Sequence, residues 1–414
     1  MTKKPYEQIN ENVTNKFIAL YGECSDEQIE RYNNAFDNFK KQFSVTNAFI
    51  ASSSGRVEVC GNHTDHNGGK VVCSAINLDT LAMFLPTDDN VVYIKSEGYP
   101  DIKVDLLSDK EEKIGTSSAL VKGVAKGLVD RGFNVGGFIA SFTSNVLGGA
   151  GISSSASFEV LVAEIFNFLY NDDKIDNQTK SIVSQFAENV YFGKPCGLLD
   201  QTAIAFGGIN KLDFADKDCM KVQGIDCDLS NFTFVLVNTG GDHSDLTDEY
   251  ASIPKEMKEV ASVLGGERLI DVGEDKFVSS LKDIKNKVSD RAILRAFHFF
   301  SENERVDKLA TALRDNDYDA FLDCINQSGI SSLCALQNCY VSGSVDQAIP
   351  KALYIGKRYI GKGANRVHGG GFAGSTLNVV QKAEEKLFVE KMSGVYGSEN
   401  VIPLKVRTVG TIVL

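Results

Sequence analysis

The sequence contains 414 residues, of which 43% are apolar and 24% are charged, and its formal net charge is −12. A chain of this length can bury a large core and is expected to form two domains. The negative charge argues against a nucleic-acid partner. The nine cysteines include no C-x-x-C pair, which indicates reduced thiols rather than a disulfide framework or a zinc site. Because the chain has no membrane-length apolar run and no apolar signal core at its start, we expect a cytoplasmic protein without a membrane partner.

Hydrophobic periodicity predicts helices and strands in mixed order. The predicted helices cover residues 26–43, 117–131, 154–170, 178–191 and 381–393, with further helices between 245 and 357. The predicted strands cover residues 47–51, 56–60, 70–77, 80–85, 91–95, 137–143, 209–214, 232–238, 364–368, 375–380 and 401–407. Because strands and helices do not alternate regularly, the order favours an α+β fold over a doubly wound sheet. The glycines at 207 and 208 break the chain, and we expect one domain over residues 1–210 and a second over 211–414.

Residues 55–69 are dense in polar groups and follow an apolar strand. Arg56 supplies a planar, permanently charged guanidinium group. Asn62, His63 and Asp65 supply both donors and acceptors of hydrogen bonds. Such a set suits a polyhydroxylated ligand such as a sugar. Two alternatives remain open from the residues alone: a metal site, although the spacing of the histidines and aspartate matches no common zinc pattern, and a polar hairpin turn.

The loop over residues 148–157 lies between a predicted strand and a predicted helix. Its glycines let the backbone turn tightly and approach a ligand, and its serines and free N–H groups at a helix start attract anions. The pattern therefore indicates either a phosphate-binding loop or a serine-rich N-cap of a core helix.

A single carboxylate, Asp200, lies on a tight loop among apolar neighbours. It could be positioned to take a proton from a hydroxyl nucleophile, or it could cap the helix that follows. Glu188, on the preceding helix, could reach a metal ion.

A third glycine loop, residues 369–374, formally satisfies G-x-G-x-x-G. A strand rather than a helix follows it, which disfavours dinucleotide binding and favours a second close approach of the backbone to a ligand. Phosphoryl transfer from a nucleotide to a small hydroxyl compound requires mainly positioning and charge neutralisation. The sequence offers suitable groups for this chemistry: three glycine-containing loops, a serine triplet, one aspartate on a tight loop and one arginine.

Four segments together resemble the galactokinase branch of the GHMP small-molecule kinases. They occur in family order at residues 55–69, 149–156, 196–201 and 369–374. The resemblance implies a two-lobed α+β fold. The N-terminal lobe would be similar to ribosomal protein S5 domain 2, the C-terminal lobe would be ferredoxin-like, and the site would lie between them. It also implies ATP and Mg²⁺ as cofactors, a small-molecule sugar as substrate and no nucleic acid; we expect a monomer or a weak dimer.

The implied reaction is phosphorylation of the anomeric hydroxyl of galactose to galactose 1-phosphate. By the resemblance, Asp200 would accept the proton of that hydroxyl or position it, and Arg56 would stabilise the ionised oxygen and the phosphoryl group. Ser155 and Glu188 would hold Mg²⁺. The ATP phosphates would be bound by Gly149, Ala150, Gly151, Ser153, Ser154 and Ser155. The sugar would be contacted by Asn62, His63, Asp65, Gly197 and Tyr250.

Within the first of these segments, residues 55–69, the sequence departs from the family signature at three positions. Galactokinases usually carry Glu where this chain has Asn62, Tyr where it has His66 and Asn where it has Glu58. Asn can donate as well as accept hydrogen bonds and does not repel an acidic sugar. Galacturonate, L-arabinose or an N-acetylhexosamine are therefore alternative substrates, and a non-catalytic sugar sensor on the same scaffold is a rival of another class.

Overall fold

The computed structural model describes residues 4–217, 220–240 and 246–414, and of residue 247 the backbone alone. Its strands are β1 (Phe49–Cys60), β2 (Lys70–Pro86), β3 (Val91–Ser96), β4 (Ile102–Asp105), β5 (Phe138–Ser144), β6 (Ile209–Asp213), β7 (Lys221–Gly224), β8 (Phe232–Asn238), β9 (Ala364–His368), β10 (Ser375–Gln381), β11 (Val401–Leu404) and β12 (Ile412–Val413).

The α-helices include several long ones and a set of short connecting ones. They are α1 (Glu11–Thr14), α2 (Phe17–Tyr21), α3 (Asp26–Phe43), α4 (Ser117–Val129), α5 (Ser154–Tyr170), α6 (Asn177–Phe186), α7 (Leu199–Phe206), α8 (Thr247–Val263), α9 (Leu269–Val272), α10 (Glu274–Ser279), α11 (Leu281–Ile284), α12 (Asp290–Arg314), α13 (Tyr318–Ser331), α14 (Ala348–Lys357) and α15 (Glu385–Tyr396). Two of them continue as π-helical turns, over Ala187–Phe192 and Ser332–Leu336, and short 3₁₀ turns cover Asp65–Asn67 and Ser398–Asn400.

The larger sheet has eight strands in the described residues, with β12, β1, β2, β5, β3 and β4 in that order; β6 pairs with β2, and β7 pairs with β6. β1 and β2 form a long antiparallel pair, and β3 and β5 are parallel. Residues of α4, α5 and α6 pack on one face in a core that includes Phe84, Val124 and Phe166, and α3 packs on the other face through Phe36 and Phe39. Because helices cover both faces, every residue of β1 is buried.

The smaller sheet is antiparallel, with the strand order β11, β8, β10, β9. Its inner face shares one hydrophobic core with the larger sheet and with α12, since Val57, Leu309 and Leu377 belong to the same buried cluster. The two sheets therefore meet over packed apolar side chains, and the polar loops at the ends of β1, β5 and β9 lie along the same junction.

The C-terminal residues return to the larger sheet. β12 pairs with β1 through Ser52 opposite Ile412 and Ala51 opposite Val413. The buried guanidinium of Arg407 donates to the hydroxyl of Ser52 at 2.6 Å and to its carbonyl at 3.0 Å. Strands from distant parts of the sequence thus pair in the same sheet.

The α+β class and the GHMP kinase fold expected from the sequence are confirmed, and the helix predicted over residues 154–170 matches α5. The two strands predicted at 47–51 and 56–60 form the single strand β1, because a register shift between Ser54 and Arg56 absorbs Gly55 without ending the pairing. Residue 245, where the predicted helical region begins, lies outside the described residues. The division of the chain at residue 210 stays a prediction; β6, β7 and β12 all pair within the larger sheet. Among the described helices, none is long and apolar enough to span a bilayer.

Candidate active site

The guanidinium of Arg56 and the carboxylate of Asp200 form the centre of the site. Arg56 lies on β1 and Asp200 in the first turn of α7. Arg56 Nε and Nη2 lie 2.8 and 2.7 Å from Asp200 Oδ1, and the hydroxyl of Ser153 donates to the other oxygen, Oδ2. The Asp200 side chain is 29% exposed, against 8% for Arg56. The carboxylate is thus held from one side and reaches solvent on the other.

The glycine–serine loop begins after β5 and leads into α5. Gly149, Gly151 and Ser153 have positive φ values of 78°, 77° and 64°. Alternating left-handed residues of this kind turn successive N–H groups toward one side and create an anion-binding concavity. A Cβ added at Gly149 would meet nothing within 4 Å, so this part of the loop faces open space.

Three consecutive carbonyl groups of this loop accept hydrogen bonds from the body of the protein. Ser375 Oγ donates to the carbonyl of Ala150 at 2.8 Å. The side chain of Arg56 donates to the carbonyl of Gly151, and its backbone N–H donates to the carbonyl of Ile152 at 3.1 Å. The loop is therefore anchored by strands of both sheets.

Glu188 lies next to the start of α5. Its carboxylate accepts hydrogen bonds from Ser155 at 3.0 Å, from Gln201 at 2.9 Å and from Lys194 at 3.3 Å. The same Gln201 amide nitrogen is 3.2 Å from the carboxylate of Glu159, whose pKa is raised by burial and by the nearby Glu188. Gln201 therefore bridges two buried carboxylates directly behind the serine loop.

Asp65 and Gly197 are in direct contact. A Cβ added at Gly197 would lie 1.7 Å from Asp65 Oδ2, so the loop that precedes α7 can approach Asp65 only because residue 197 lacks a side chain. Burial raises the pKa of Asp65 to about 6. Desolvation disfavours the charged form of a carboxyl group, and here it outweighs the backbone hydrogen bonds that Asp65 accepts.

The third glycine loop is held by side chains that the sequence assigns to the sugar. Asn62 Nδ2 lies 2.8 Å from the carbonyl of Gly369, His63 Nε2 lies 2.9 Å from that of Gly370, and Tyr250 Oη lies 2.9 Å from that of Gly371. Side chains from two distant parts of the sequence thus hold the first three residues of this loop.

Asn62 is 1% exposed, and its amide makes further contacts within the protein. The nitrogen donates to Glu58 Oε1 at 2.9 Å, and the oxygen accepts from Asn338 at 2.8 Å. Glu58 in turn pairs with Arg366 at 2.8 Å. The amide is therefore turned into a buried polar network, and its predicted contact with a sugar stays a prediction.

Comparison with known proteins decides the family. The galactokinase galactose-binding signature matches residues 37–86, and the N-terminal domain of GHMP kinases matches residues 119–208. The galactokinase of Clostridium tetani is 30% identical over 377 residues, which cover 88% of this chain and 93% of that protein. This chain belongs to the galactokinase family of GHMP kinases. It is an enzyme of the phosphotransferase class.

Other relatives of the kinase agree with this assignment. The galactokinase of Limosilactobacillus fermentum is 28% identical over 87% of this chain and 93% of its own. The crystal structure of Lactococcus lactis galactokinase complexed with galactose superposes with a TM-score of 0.80, at 23% identity, over 92% of this chain and 98% of that one. The mevalonate kinase of Methanococcus jannaschii superposes with a TM-score of 0.61, at 15% identity, over 86% and 98% of the two chains. These superpositions establish the fold of the kinase.

The oxygen atoms of Ser155 and Glu188 suit a magnesium ion. They lie 3.0 Å apart at the start of a helix that faces the phosphate loop, and Mg²⁺ commonly uses one or two protein oxygens together with substrate phosphates and water. Within residues 4–217, 220–240 and 246–414, no group of three or more His, Cys, Asp or Glu side chains could hold a metal by itself. The use of Mg²⁺ stays a prediction.

The structure brings together the residues that the sequence predicts for phosphoryl transfer. Arg56, Ser153 and Asp200 are in contact, and Ser155 contacts Glu188. Ser154 forms the first turn of α5 between them. The roles of these residues stay predictions.

Sequence reasoning missed Gln201, Glu159 and the contact of Ser375 with the phosphate loop. Gln201 directly follows Asp200, and Glu159 lies one helical turn after Ser155. Both positions could have been examined as neighbours of predicted site residues.

Proposed function

We propose that this kinase transfers the γ-phosphoryl group of ATP to the anomeric hydroxyl of galactose, with Asp200 as the acceptor of the hydroxyl proton. The observation that carries the proposal is the contact of Asp200 with both Arg56 and Ser153 at the end of the glycine–serine loop. This contact supports the proposal because a carboxylate, a guanidinium and the end of the glycine–serine loop meet at one point.

The carboxylate of Asp200 has two oxygens with different tasks in this proposal. Oδ1 is held by the guanidinium of Arg56, and Oδ2, to which Ser153 donates, would receive the proton of the sugar hydroxyl. The sugar oxygen would attack the γ-phosphorus while the bond to the bridging oxygen of ADP breaks. Arg56 would stabilise the negative charge that develops on the sugar oxygen and on the transferring group.

The glycine–serine loop would bind the ATP phosphates through its backbone N–H groups, and Ser155 and Glu188 would hold Mg²⁺. When bound, the ion would neutralise phosphate charge. Lys194, 3.3 Å from Glu188, adds a further cation at the same edge.

The sugar would lie beside the contact between Asp65 and Gly197. Asp65 can accept hydrogen bonds from two neighbouring hydroxyl groups when it is ionised. His63 and Tyr250, which contact the third glycine loop, would border the same space. The proposal also includes a cytoplasmic location and a monomeric or weakly dimeric state.

A panel of sugars with radiolabelled ATP tests this function. Galactose should show the highest kcat/KM among galactose, glucose, galacturonate, L-arabinose and N-acetylgalactosamine, and the product should carry phosphate at the anomeric oxygen. A higher kcat/KM with galacturonate would contradict the proposed substrate. Binding of ATP and galactose without any product would instead support a sugar sensor.

A further inference from the structure

One of the three anchored carbonyl groups of the phosphate loop depends on a residue from the smaller sheet. Ser375, the first residue of β10, is 1% exposed and donates to the carbonyl of Ala150 at 2.8 Å. The carbonyls of Gly151 and Ile152 are bound by Arg56 on β1 of the larger sheet. Ser375 is therefore the contact through which β10 anchors this loop.

Because each peptide bond is planar and trans, the direction of each of these carbonyl groups fixes the direction of the next residue's N–H group. In a trans peptide, the C=O of one residue and the N–H of the following residue point in opposite directions. The described residues contain no cis peptide bond. Because the Ala150 carbonyl points to Ser375, the N–H of Gly151 points away from it, toward the side of the loop opposite its anchors.

The same relation holds for the next two residues. Arg56 binds the carbonyls of Gly151 and Ile152, so the N–H groups of Ile152 and Ser153 point away from Arg56. A carbonyl oxygen that turned toward a phosphate would repel it, whereas an N–H group attracts it. The three anchoring hydrogen bonds thus turn N–H groups, rather than carbonyl oxygens, toward the open side of the loop.

His368 supports the loop from the position opposite Ser375 in the strand pair. Its Nε2 lies 3.1 Å from the N–H of Glu58, which can only donate, so this nitrogen is the acceptor and Nδ1 carries the proton. A Cβ on Gly151 would lie 3.5 Å from His368 Nδ1, and burial together with Arg56 and Arg366 lowers the pKa of this histidine. The end of the β9–β10 pair therefore packs against the loop as an uncharged, buried support.

We propose that Ser375 is a positioning residue for ATP: its hydroxyl holds the Ala150 carbonyl toward the smaller sheet and thereby directs the Gly151 N–H to the phosphates. This inference rests on the proposed use of ATP. It assigns to the smaller sheet a part in nucleotide binding that is separate from the sugar pocket.

Equilibrium dialysis with labelled ATP, in the absence of sugar, tests the proposal on the full chain. Ser375→Ala removes the donor and should weaken ATP binding by about five- to tenfold, while the Kd for galactose stays within twofold of the parent. The matched control is Ser181→Ala, which removes a buried serine that donates to the carbonyl of Asn177 at 2.7 Å within α6. This control should leave both dissociation constants unchanged.

Several outcomes would overturn the proposal. These are an unchanged ATP Kd in Ser375→Ala, an equal loss of affinity for ATP and galactose, or a parent chain that does not bind ATP. If circular dichroism shows that Ser375→Ala does not fold, Ser375→Cys replaces it, because cysteine keeps the side-chain size but offers only a weak donor. A folded cysteine variant should still bind ATP at least threefold more weakly than the parent. Parent-like binding by that variant would refute the assignment. ATP binding without sugar phosphorylation would refute the proposed function alone.

Discussion

The Arg56 guanidinium meets Asp200 through a single carboxylate oxygen, with Nε at 2.8 Å and Nη2 at 2.7 Å from Oδ1. This geometry leaves Oδ2 directed toward Ser153 and the open side of the site. A carboxylate held in this way cannot rotate without breaking two charge-assisted hydrogen bonds. The orientation of the proposed proton acceptor is therefore set before any substrate binds.

Asp200→Asn should abolish most of the turnover. The amide keeps the shape of the side chain but cannot take a proton, and a positioned general base contributes roughly 10²- to 10⁴-fold to a rate. We expect kcat for galactose to fall within that range while the variant stays folded, as measured by labelled phosphate transfer and circular dichroism. Asp130→Asn, at an exposed carboxylate that pairs with Lys126, is the control and should keep parental activity. If kcat of Asp200→Asn stays within threefold of the parent, Asp200 is not the acceptor of the hydroxyl proton.

Gly197→Ala should disturb the sugar pocket and stability together. The new Cβ would overlap Asp65 Oδ2, and overpacking of this kind costs about 1–3 kcal/mol of unfolding free energy. We expect weaker galactose binding by calorimetry and a lower midpoint of urea unfolding. Gly394→Ala is the matched control, because nothing lies within 4 Å of a Cβ at this exposed position of α15. An unchanged galactose affinity in Gly197→Ala would mean that Asp65 does not contact the sugar.

Galactose affinity should rise as the pH increases from 5 to 7. The pKa of Asp65 is raised to about 6 by burial, so the carboxyl group keeps its proton below that pH and becomes a charged acceptor above it. The pKa of His66 is lowered to about 3, so this neighbour does not titrate in the same window. Calorimetric titration at pH 5, 6, 7 and 8 measures the effect. Asp65→Asn should give a lower affinity that is independent of pH between 5 and 7; a persistent midpoint near 6 in that variant would assign the titration to another group.

Glu188→Gln should raise the Mg²⁺ requirement of the reaction. Replacing the carboxylate removes the negative charge next to Ser155, and loss of one partner at a metal site typically weakens binding by at least about tenfold. The measurement is the Mg²⁺ concentration that gives half-maximal activity at fixed ATP. Glu304→Gln, at an exposed helix position paired with Lys308, serves as the control. If Glu188→Gln has the same Mg²⁺ dependence as the parent, the ion is held elsewhere.

The parts of the site that have strong local patterns could be predicted from the sequence. The glycine–serine loop before α5 and the polar segment after β1 carry their own signals, because turn glycines and helix-start serines act over a few residues. Family resemblance then joined Arg56 to Asp200, which are 144 positions apart and carry no local sign of contact.

The contacts that sequence reasoning missed depend on long-range packing. Ser375 reads as an ordinary strand residue, and only the junction of the two sheets brings it to Ala150. Asn62 lies in a polar turn that looks exposed, yet Glu58, Gly369 and Asn338 surround its amide. Burial of a polar residue can be read from a sequence only when its partners are known, and these partners come from distant parts of the chain.

The pairing of β12 with β1 has a consequence for biosynthesis. A ribosome makes Ser52 long before it makes Ile412, so one edge of the larger sheet lacks its partner strand until residues 412 and 413 have been translated. Arg407, which binds Ser52, also arrives late. Until then the nascent chain presents an open strand edge, a surface prone to pairing with other chains. The strand that carries Arg56 therefore reaches its final environment only after residue 413 has been made, and a fragment ending at residue 210 would keep that edge open.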